Sequence, residues 1–386
     1  MAEYTARDYA SMLGDPTRMA AYTTALQQTI TPDTTVLDLG CGSGYFTVLA
    51  AKLGAKHVFA IEPNKAITLA KELARENGVM DRITFFQKFS DEISLPEQVD
   101  IVVSDLRGIL PQHQGNIEGI IDARNNFLKP GGILMPYRDH LWCAPARDPE
   151  VHNSAVRPWN ASDCTLLKMT SLSKYLIHGH HSRSIPEDGL VSEAKLWGTI
   201  DYATDTKLDH RNTLSWTIET PNTAHGIYLW FDSLLLPGVS YNYGPGTKVV
   251  VYGAVFFPWP EELHLEAGDH LAIDLSVHLG SEGYEWTWIS HYTPHSKGKP
   301  ALRWSQSTFL DEEGPSKSDF TAYSPDHQTR LGKRGKIALS ALKMMEQNLR
   351  NDEIAKALAT EFPEAKKSSA SWLKFIAELA ITYQER

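Results

Sequence analysis

Hydrophobic positions follow two alternating patterns in the first third of the chain. Short apolar runs rich in β-branched residues predict strands, and stretches with apolar residues every three or four positions predict helices. The predicted strands cover residues 35–39, 57–61, 83–86, 101–104 and 132–135, and the predicted helices cover residues 45–53, 65–76 and 117–127. Strands and helices that alternate in this way are typical of βαβ units on a parallel sheet.

The pattern changes after Pro136 to short strands rich in Trp, Tyr, Val and Thr, separated by turns that contain Gly and Pro. This predicts an antiparallel β-domain of the barrel type. A stretch rich in Gly, Ser, Pro and acidic residues then predicts a linker. Beyond it, residues 337–349, 351–361 and 371–383 have helical spacing and predict a helical module.

The predicted fold class is therefore an α/β domain of the Rossmann-like type, followed by a β-barrel and a helical module. With 386 residues the chain has room for roughly two or three domains. The predicted boundaries are an N-terminal helical lid over residues 1–30, the Rossmann-like domain over 31–137, the β-barrel over 138–310, the linker over 311–330 and the helical module over 331–386.

Composition excludes several classes of partner. The net charge of −10 argues against a sequence-independent grip on nucleic acid. No stretch approaches the ~18 apolar residues of a membrane helix, and the N-terminus lacks a secretory pattern. The cysteines, Cys41, Cys143 and Cys164, show neither pairing nor metal-ligand spacing. We therefore expect a cytoplasmic protein with no nucleic-acid partner, no membrane contact and no metal.

The segment with the clearest chemistry joins the first predicted strand to the first predicted helix of the α/β domain. The strand contains Asp38, and glycines follow at alternate positions, Gly40, Gly42 and Gly44. Such a loop lets ligand atoms approach the backbone amides. Its spacing differs from the G-x-G-x-x-G of dinucleotide sites. Because Asp38 would repel phosphate, a nucleoside that carries an amino acid suits the loop better, and we expect Asp38 to bind its ammonium group. Glu62 at the end of the next strand is placed to bind a ribose.

Together with the later Leu128-Lys-Pro-Gly-Gly segment, this loop resembles that of class I S-adenosylmethionine-dependent methyltransferases. The resemblance implies S-adenosylmethionine as cofactor and S-adenosylhomocysteine as product. It also implies that Gly40 and Gly42 pass under the methionine part of the cofactor and that Glu62 holds the ribose. A glycine turn in some other Rossmann-like protein is the alternative interpretation.

A closer resemblance, to the protein arginine methyltransferases, extends over most of the chain. It is carried by Met12-Leu-Gly-Asp-Pro-Thr-Arg18, Ser90-Asp91 and Gly226-Ile-Tyr-Leu-Trp230. By this likeness Arg18 pairs with the cofactor carboxylate, Met12 lies near the sulfonium, and Asp91 beside Ser90 takes the adenine amino group. It also implies a homodimer. The alternatives are a surface arginine on a helix and a solvated loop acid.

The acceptor side departs from that family, which carries two glutamates on the loop after the fourth strand. Here the first position is Asp105, a shorter carboxylate, and the second is Gln114. The family's Thr-His-Trp stretch, expected near residues 248–253, is absent. The prediction is that Asp105 orients or deprotonates the acceptor, with a structural acid as the alternative, and that Arg107 pairs with Asp105 or with a substrate carboxylate.

These departures favour a different acceptor from the family's own. We expect an N-methyltransferase that acts on a guanidine- or amine-containing small molecule or peptide natural product, similar to arginine or agmatine. A protein arginine N-methyltransferase is the alternative, and a cofactor-binding pseudoenzyme that acts as an interaction protein is the second alternative. Tyr9, Gln114 and Trp159 are candidate contacts to the acceptor.

Overall fold

The computed structural model describes residues 4–158, 170–205, 209–247, 251–280, 283–308, 328, 330–365 and 369–383. The chain forms two compact units, Met1–Pro325 and Asp326–Arg386. The boundary between them falls within the predicted linker, most of which lies outside the described residues. The predicted boundaries of the smaller domains stay predictions.

The first unit starts with two helices and continues into a parallel sheet with helices between its strands. The helices are α1 (Ala6–Leu13), α2 (Pro16–Thr29), α3 (Tyr45–Lys52), α4 (Ile67–Glu76) and α5 (Asn116–Asn126). The strands are β1 (Thr35–Leu39), β2 (His57–Ile61), β3 (Ile83–Phe86), β4 (Val99–Ser104) and β5 (Leu128–Met135). All neighbours in the sheet are parallel, as the alternation predicts.

The strand order of this sheet, β3-β2-β1-β4-β5, decides where a ligand can bind. The chain reverses its direction of travel across the sheet between β1 and β4, so the loops that follow these two strands diverge and leave a crevice at the carboxyl edge. The glycine loop follows β1, and the loop with Asp105 follows β4. The topology therefore places the two segments that the sequence singles out on either side of one crevice.

The β-domain consists of two antiparallel sheets. Its strands are β6 (Arg138–Ala146), β7 (His181–Arg183), β8 (Lys195–Asp201), β9 (His210–Thr217), β10 (Asn222–Leu236), β11 (Val239–Asn242), β12 (Ala254–Leu265), β13 (His270–Leu279), β14 (Tyr284–Thr293) and β15 (Leu302–Ser307). One sheet has the order β7-β12-β10-β6-β8 with β11 paired to β10, and the other has the order β15-β14-β13-β9. Two helices, α6 (Pro149–Val156) and α7 (Thr170–Leu176), lie between β6 and β7 in the chain.

Large aromatic side chains fill the core of the β-domain, which explains the Trp- and Tyr-rich pattern of its sequence. Trp197, Trp216, Trp259 and Trp288 are almost completely buried. Along β13 burial alternates residue by residue, as expected for a strand with one face on a core.

The second unit is a small helical bundle. Its helices are α8 (Lys333–Glu346), α9 (Asn351–Glu361) and α10 (Ser369–Tyr383). Ile337, Ile354, Leu358 and Trp372 form its core. Within the described ranges of both units, no helix combines the length and the apolar character needed to cross a membrane.

The N-terminal helical region is divided in two at the sequence Gly14-Asp15-Pro16. Asp15 caps α2, because its carboxylate accepts a hydrogen bond from the backbone N–H of Arg18 at 3.2 Å, and Pro16 occupies the first position of the helix, where its missing N–H costs nothing. Met12 therefore lies at the end of α1 and Arg18 in the first turn of α2.

Candidate active site

The glycine loop after β1 has the left-handed backbone that its sequence requires. Gly40 has φ +73° and Gly42 has φ +50°, a region that side chains other than glycine rarely adopt. The space above the loop is also tight, since a Cβ placed on Gly42 would lie 2.6 Å from the ring of Tyr9. Substitution at Gly42 would therefore both strain the backbone and press on Tyr9.

Glu62, which directly follows β2, holds the same loop from the other side. Its carboxylate accepts hydrogen bonds from the backbone N–H of Gly42 at 3.0 Å and from that of Asn64 at 2.9 Å. The side chain is buried. A carboxylate fixed in this way keeps acceptor capacity for further donors, because each of its oxygens can accept more than one hydrogen bond.

A cavity of about 440 Å³ lies over the glycine loop. The predicted cofactor residues that line it are Met12, Arg18, Gly40, Gly42, Glu62 and Ser90. Tyr9 and Gln114, predicted as acceptor contacts, line this same cavity. Asp91 is exposed in a 3₁₀ turn beside the cavity and does not line it, and Trp159 lies outside the described residues.

Asp38 lies beneath the loop and does not line the cavity. The hydroxyl of Thr47 on α3 donates to its carboxylate at 2.5 Å, and the side chain is fully buried. Burial raises the pKa of Asp38 to about 7, against the opposing effect of the Thr47 hydrogen bond. In this state the acid ties the glycine loop to the helix that follows it.

Arg18 connects the first cavity to the loop between β4 and α5 that carries Asp105, which we call the acceptor loop. Its guanidinium forms an ion pair with Asp105 and donates to the backbone carbonyl of Met12. The side chain is almost completely buried, and its Nε–H has no partner among the residues that the structure describes. A buried guanidinium with a free donor is suited to a carboxylate, which an arginine can bind with two parallel hydrogen bonds.

Both oxygens of Asp105 have partners in this state. Arg18 contacts Oδ2, while the hydroxyl of Tyr22 donates to Oδ1 at 3.3 Å and the guanidinium of Arg107 lies 3.4 Å from the same oxygen. Asp105 nevertheless lines the cavity. It is therefore a carboxylate at the edge of the cofactor site, held by two arginines rather than by one.

Arg107 is held in the interior by a hydrogen-bond network that has no local signature in the sequence. Its guanidinium makes two hydrogen bonds to the carboxylate of Asp139 on β6, at 3.0 and 2.9 Å. It also donates to the hydroxyls of Ser233 at 2.7 Å and Tyr241 at 3.1 Å. With its donors engaged and its side chain buried, Arg107 anchors the acceptor loop to the β-domain and is not free to bind a substrate carboxylate.

A second cavity, of about 310 Å³, adjoins the first. The two cavities share Tyr4, Met12, His113 and Tyr252 as lining residues. The remaining walls of the second cavity are Gly108, Ile109, Leu110, Gln112, His180, Val251, Val255 and Trp286. Sequence reasoning did not find Gln112, His113 or His180, because the residues that meet here come from the acceptor loop and from the β-domain, far apart in the chain.

His113 enters both cavities as a neutral side chain. Burial lowers the pKa of its imidazole, so the ring is uncharged at neutral pH. Its ring packs closely on the acceptor loop, since a Cβ placed on Gly108 would lie 2.6 Å from its Cγ.

The first cavity fits S-adenosylmethionine by its own residues. The glycine cradle would be filled by any Cβ, the carboxylate of Glu62 is fixed by two backbone amides, and the Nε–H of Arg18 is a buried donor awaiting an acceptor. These three groups suit, in turn, the methionine part, the ribose hydroxyls and the carboxylate of such a nucleoside.

Comparisons with known proteins agree with S-adenosylmethionine as the cofactor. The sequence profile of the ribosomal protein L11 methyltransferase (PrmA) family matches residues 16–135. Protein arginine N-methyltransferase 2 of Dictyostelium discoideum is 31% identical over 233 residues, which cover 57% of this chain and 45% of that protein. Protein arginine N-methyltransferase 1 of Saccharomyces cerevisiae is 25% identical over 278 residues, covering 69% and 79%.

The fold has solved counterparts. The Trypanosoma brucei PRMT1 enzyme-prozyme heterotetrameric complex with AdoHcy contains a chain that matches with a TM-score of 0.70 at 19% identity, over 78% of this chain and 97% of that one. This match confirms the predicted order of a Rossmann-like domain and a β-domain.

The match over residues 16–135, the fold and the glycine loop together indicate a domain of the methyltransferase type, with S-adenosylmethionine as its cofactor. It resembles the protein arginine methyltransferases, as the sequence motifs predict. The chain spans about half the length of the Dictyostelium relative.

Proposed function

We propose that the chain transfers a methyl group from S-adenosylmethionine to a guanidinium nitrogen of arginine side chains in proteins or peptides. The observation that carries the proposal is Asp105, a carboxylate on the loop after β4 that lines the cofactor cavity beside a second cavity of side-chain size. The curated relatives named above, which are called protein arginine N-methyltransferases, support this acceptor over a small molecule.

Different residues of the first cavity bind different parts of the cofactor. Glu62 holds the ribose, the loop of Gly40 and Gly42 passes under the methionine part, and Arg18 takes the carboxylate. The cofactor supplies an electrophilic methyl group. The trypanosomal neighbour is described as a complex with AdoHcy, which supports the same ligand here.

Asp105 then acts on the acceptor. Without cofactor, Arg18 neutralises it. If Arg18 turned to the cofactor carboxylate, Asp105 would be left with an unbalanced negative charge at the wall of the first cavity. A guanidinium spreads its charge over three nitrogens, so a carboxylate that fixes its orientation would hold one nitrogen towards the methyl group that the cofactor would supply. The same carboxylate is positioned to receive the proton that the methylated nitrogen releases.

The loss of the second carboxylate favours one other candidate. Gln114, at the position of that carboxylate in the resembled family, is exposed and has φ +49°. A single carboxylate can also dock a small guanidine or amine, the acceptor that we expected from the sequence. The comparisons give this acceptor no support, so it is the second candidate.

The test is transfer of labelled methyl from S-adenosylmethionine by the full chain. A glycine- and arginine-rich peptide, the same peptide with lysine in place of arginine, free arginine and agmatine would be supplied in parallel. We expect label in the arginine peptide alone. Label in agmatine or arginine but not in the peptide would favour the small-molecule candidate.

Calorimetric binding of S-adenosylhomocysteine accompanies the transfer assay. Binding without transfer to any acceptor would overturn the proposal and leave the interpretation as a cofactor-binding pseudoenzyme. The trypanosomal neighbour is described as an enzyme-prozyme complex. Absence of binding would remove the cofactor assignment as well.

We infer that the chain assembles as a homodimer, on the strength of the resemblance to the arginine methyltransferases. The heterotetrameric neighbour supports assembly in general. Light scattering of the purified chain tests the inference, with a mass of twice 43.1 kDa expected. Residence in the cytoplasm stays a prediction from the cysteine content.

A further inference from the structure

Gln112 is the one wall residue of the second cavity that combines burial with an unused acceptor. Its side chain is 7% exposed, and its Oε1 has no hydrogen-bond partner within the described part of the chain. The neighbouring glutamine, Gln114, is exposed and lines only the first cavity. The two amides on the same loop therefore occupy different environments.

An unpaired buried acceptor of this kind is costly. A side-chain carbonyl that leaves water without gaining a donor loses the free energy of its hydration, and native structures pair the large majority of such groups. Gln112 lines a cavity whose other walls include the apolar side chains of Ile109, Leu110, Val251 and Val255. A donor from a bound molecule would remove the penalty, while the apolar walls would accept an alkyl chain.

We propose that Gln112 determines acceptor specificity, by accepting an N–H of the acceptor guanidinium at its Oε1 while the apolar walls hold the methylene chain. This inference rests on the proposed function, since it names how the second cavity recognises the substrate of that reaction. Gln112 thereby supplies the second contact that Gln114 does not provide.

The charges of the site agree with this division. Arg107 and Asp139 neutralise each other in the interior, and Gln112 is uncharged, so Asp105 is the carboxylate left for the acceptor once Arg18 binds the cofactor. Asp105 lines the first cavity and Gln112 lines the adjoining second one, so the inference requires an acceptor with a positive charge for Asp105 and N–H donors for Gln112. An alkylammonium ion also satisfies Asp105, but it lacks the planar fork that reaches two acceptors at once.

The test measures binding rather than turnover. The full chain is saturated with S-adenosylhomocysteine, and n-butylguanidinium, which has the reach of an arginine side chain, is titrated in by calorimetry or by ligand-observed NMR. The variants are Gln112→Met, which keeps length and removes the acceptor, and Gln112→Glu, which keeps shape and adds charge. Gln98→Met is the matched control, because Gln98 is exposed at the other end of β4.

The expected result is that Gln112→Met weakens the affinity for n-butylguanidinium about tenfold, the loss of one hydrogen bond to a charged group. Gln112→Glu should tighten it, and Gln98→Met should leave it unchanged. The affinity for S-adenosylhomocysteine should be the same in all three variants. Equal n-butylguanidinium affinities in wild type and Gln112→Met, or no saturable binding to the wild type, would overturn the inference.

These outcomes are separable from failure of the proposed function. A chain that binds n-butylguanidinium through Gln112 but methylates no acceptor keeps the inference and loses the reaction. A chain that methylates arginine peptides with equal KM in wild type and Gln112→Met keeps the reaction and loses the inference. Should Gln112→Met fail to fold, Gln112→Glu still decides, because an affinity for n-butylguanidinium that does not rise when a negative charge replaces the proposed contact would overturn the inference.

Discussion

The two cavities of the first unit are built in opposite ways. The cofactor cavity is shaped by backbone: left-handed glycines, amides that hold Glu62, and the first turn of α2 that carries Arg18. The second cavity, which we propose as the acceptor cavity, is shaped by side chains from the acceptor loop and from the β-domain. Arg107 joins this loop to the β-domain.

The difference teaches where each cavity can change. Backbone geometry in the glycine loop leaves almost no room for substitution, because a Cβ on Gly40 would meet Leu106 at 2.3 Å. The side chains that line the second cavity impose no such limit, because residues such as Gln112 and His113 can be replaced by others of similar volume. Under the proposed function, cofactor recognition would therefore be fixed by the fold, whereas acceptor recognition would depend on a few exchangeable side chains.

The largest expected effect tests the anchor between the two regions. Arg107→Met leaves the buried carboxylate of Asp139 without its partner, which costs about 3–5 kcal/mol in the free energy of unfolding. Chemical denaturation of the purified chain measures it. The double variant Arg107→Met, Asp139→Leu should recover much of the loss, since it removes both buried charges.

Arg138→Met is the matched control for that experiment. Arg138 is on β6 next to Asp139 in sequence, and its ion pair with Asp201 is partly exposed, so its loss should cost no more than about 1 kcal/mol. Equal destabilisation by both arginine variants would mean that Arg107 stabilises the fold no more than a partly exposed ion pair does, and that it does not anchor the acceptor loop.

The second effect separates binding from chemistry. Asp105→Asn keeps the shape of the side chain but removes its charge, so we expect turnover of an arginine peptide to fall at least about 100-fold. Binding of S-adenosylhomocysteine should not weaken, because Arg18 no longer has to leave a carboxylate. Steady-state kinetics and calorimetry give the two numbers, with the exposed Asp81→Asn as control. Unchanged turnover in Asp105→Asn would return this residue to a structural role.

The third effect lies on the cofactor side. Arg18→Met removes the guanidinium proposed to bind the cofactor carboxylate, and the affinity for S-adenosylhomocysteine should fall about 30-fold, the loss of one charge-assisted interaction. Arg18→Lys should fall in between, because it keeps the charge without the fork. Calorimetry measures all three, and Arg75→Met on the exposed face of α4 is the control. An affinity unaltered in Arg18→Met would show that Arg18 serves Asp105 alone.

The same contrast explains how far the sequence could be interpreted. The strands of the α/β domain, the glycine loop and Glu62 follow from local pattern, because the chemistry of each lies within a few consecutive residues. Helix limits shifted by a few positions, as for α4, which begins at Ile67 rather than at residue 65. The network of Arg107 with Asp139 and Tyr241 has no local signature, since its partners are up to 134 positions away.

Some site assignments from the sequence stay predictions for a related reason. Asp38 was assigned to the ammonium of the cofactor because an acid next to a glycine loop suits a cation, but the structure places it under the loop with Thr47. The strand pattern predicts that residue 38 is buried, but it does not predict which neighbouring group its carboxylate contacts. The expected barrel segment at residues 248–250 and Trp159 lie outside the described residues.

The last expected effect decides whether the carboxylate of Asp38 serves the fold or binds the ligand. Its pKa of about 7 in the folded chain lies above the ordinary value of an aspartate, so between about pH 4 and pH 7 the folded chain holds a proton that the unfolded chain has released. Stability contributed by this group therefore falls as the pH rises through that window, by at most about 1.4 kcal/mol per pH unit, and becomes independent of pH above it. Asp38→Asn, which keeps an acceptor for the Thr47 hydroxyl, should lack this slope. Urea unfolding of wild type and variant at pH 5 and pH 7.5, without cofactor, measures the difference. Parallel changes in both proteins would contradict the burial argument.

The affinity of Asp38→Asn for S-adenosylhomocysteine completes the comparison. If the carboxylate acts only beneath the loop, neutralising it should leave this affinity nearly unchanged. If it binds the cofactor ammonium directly, neutralising it should lower the affinity about tenfold.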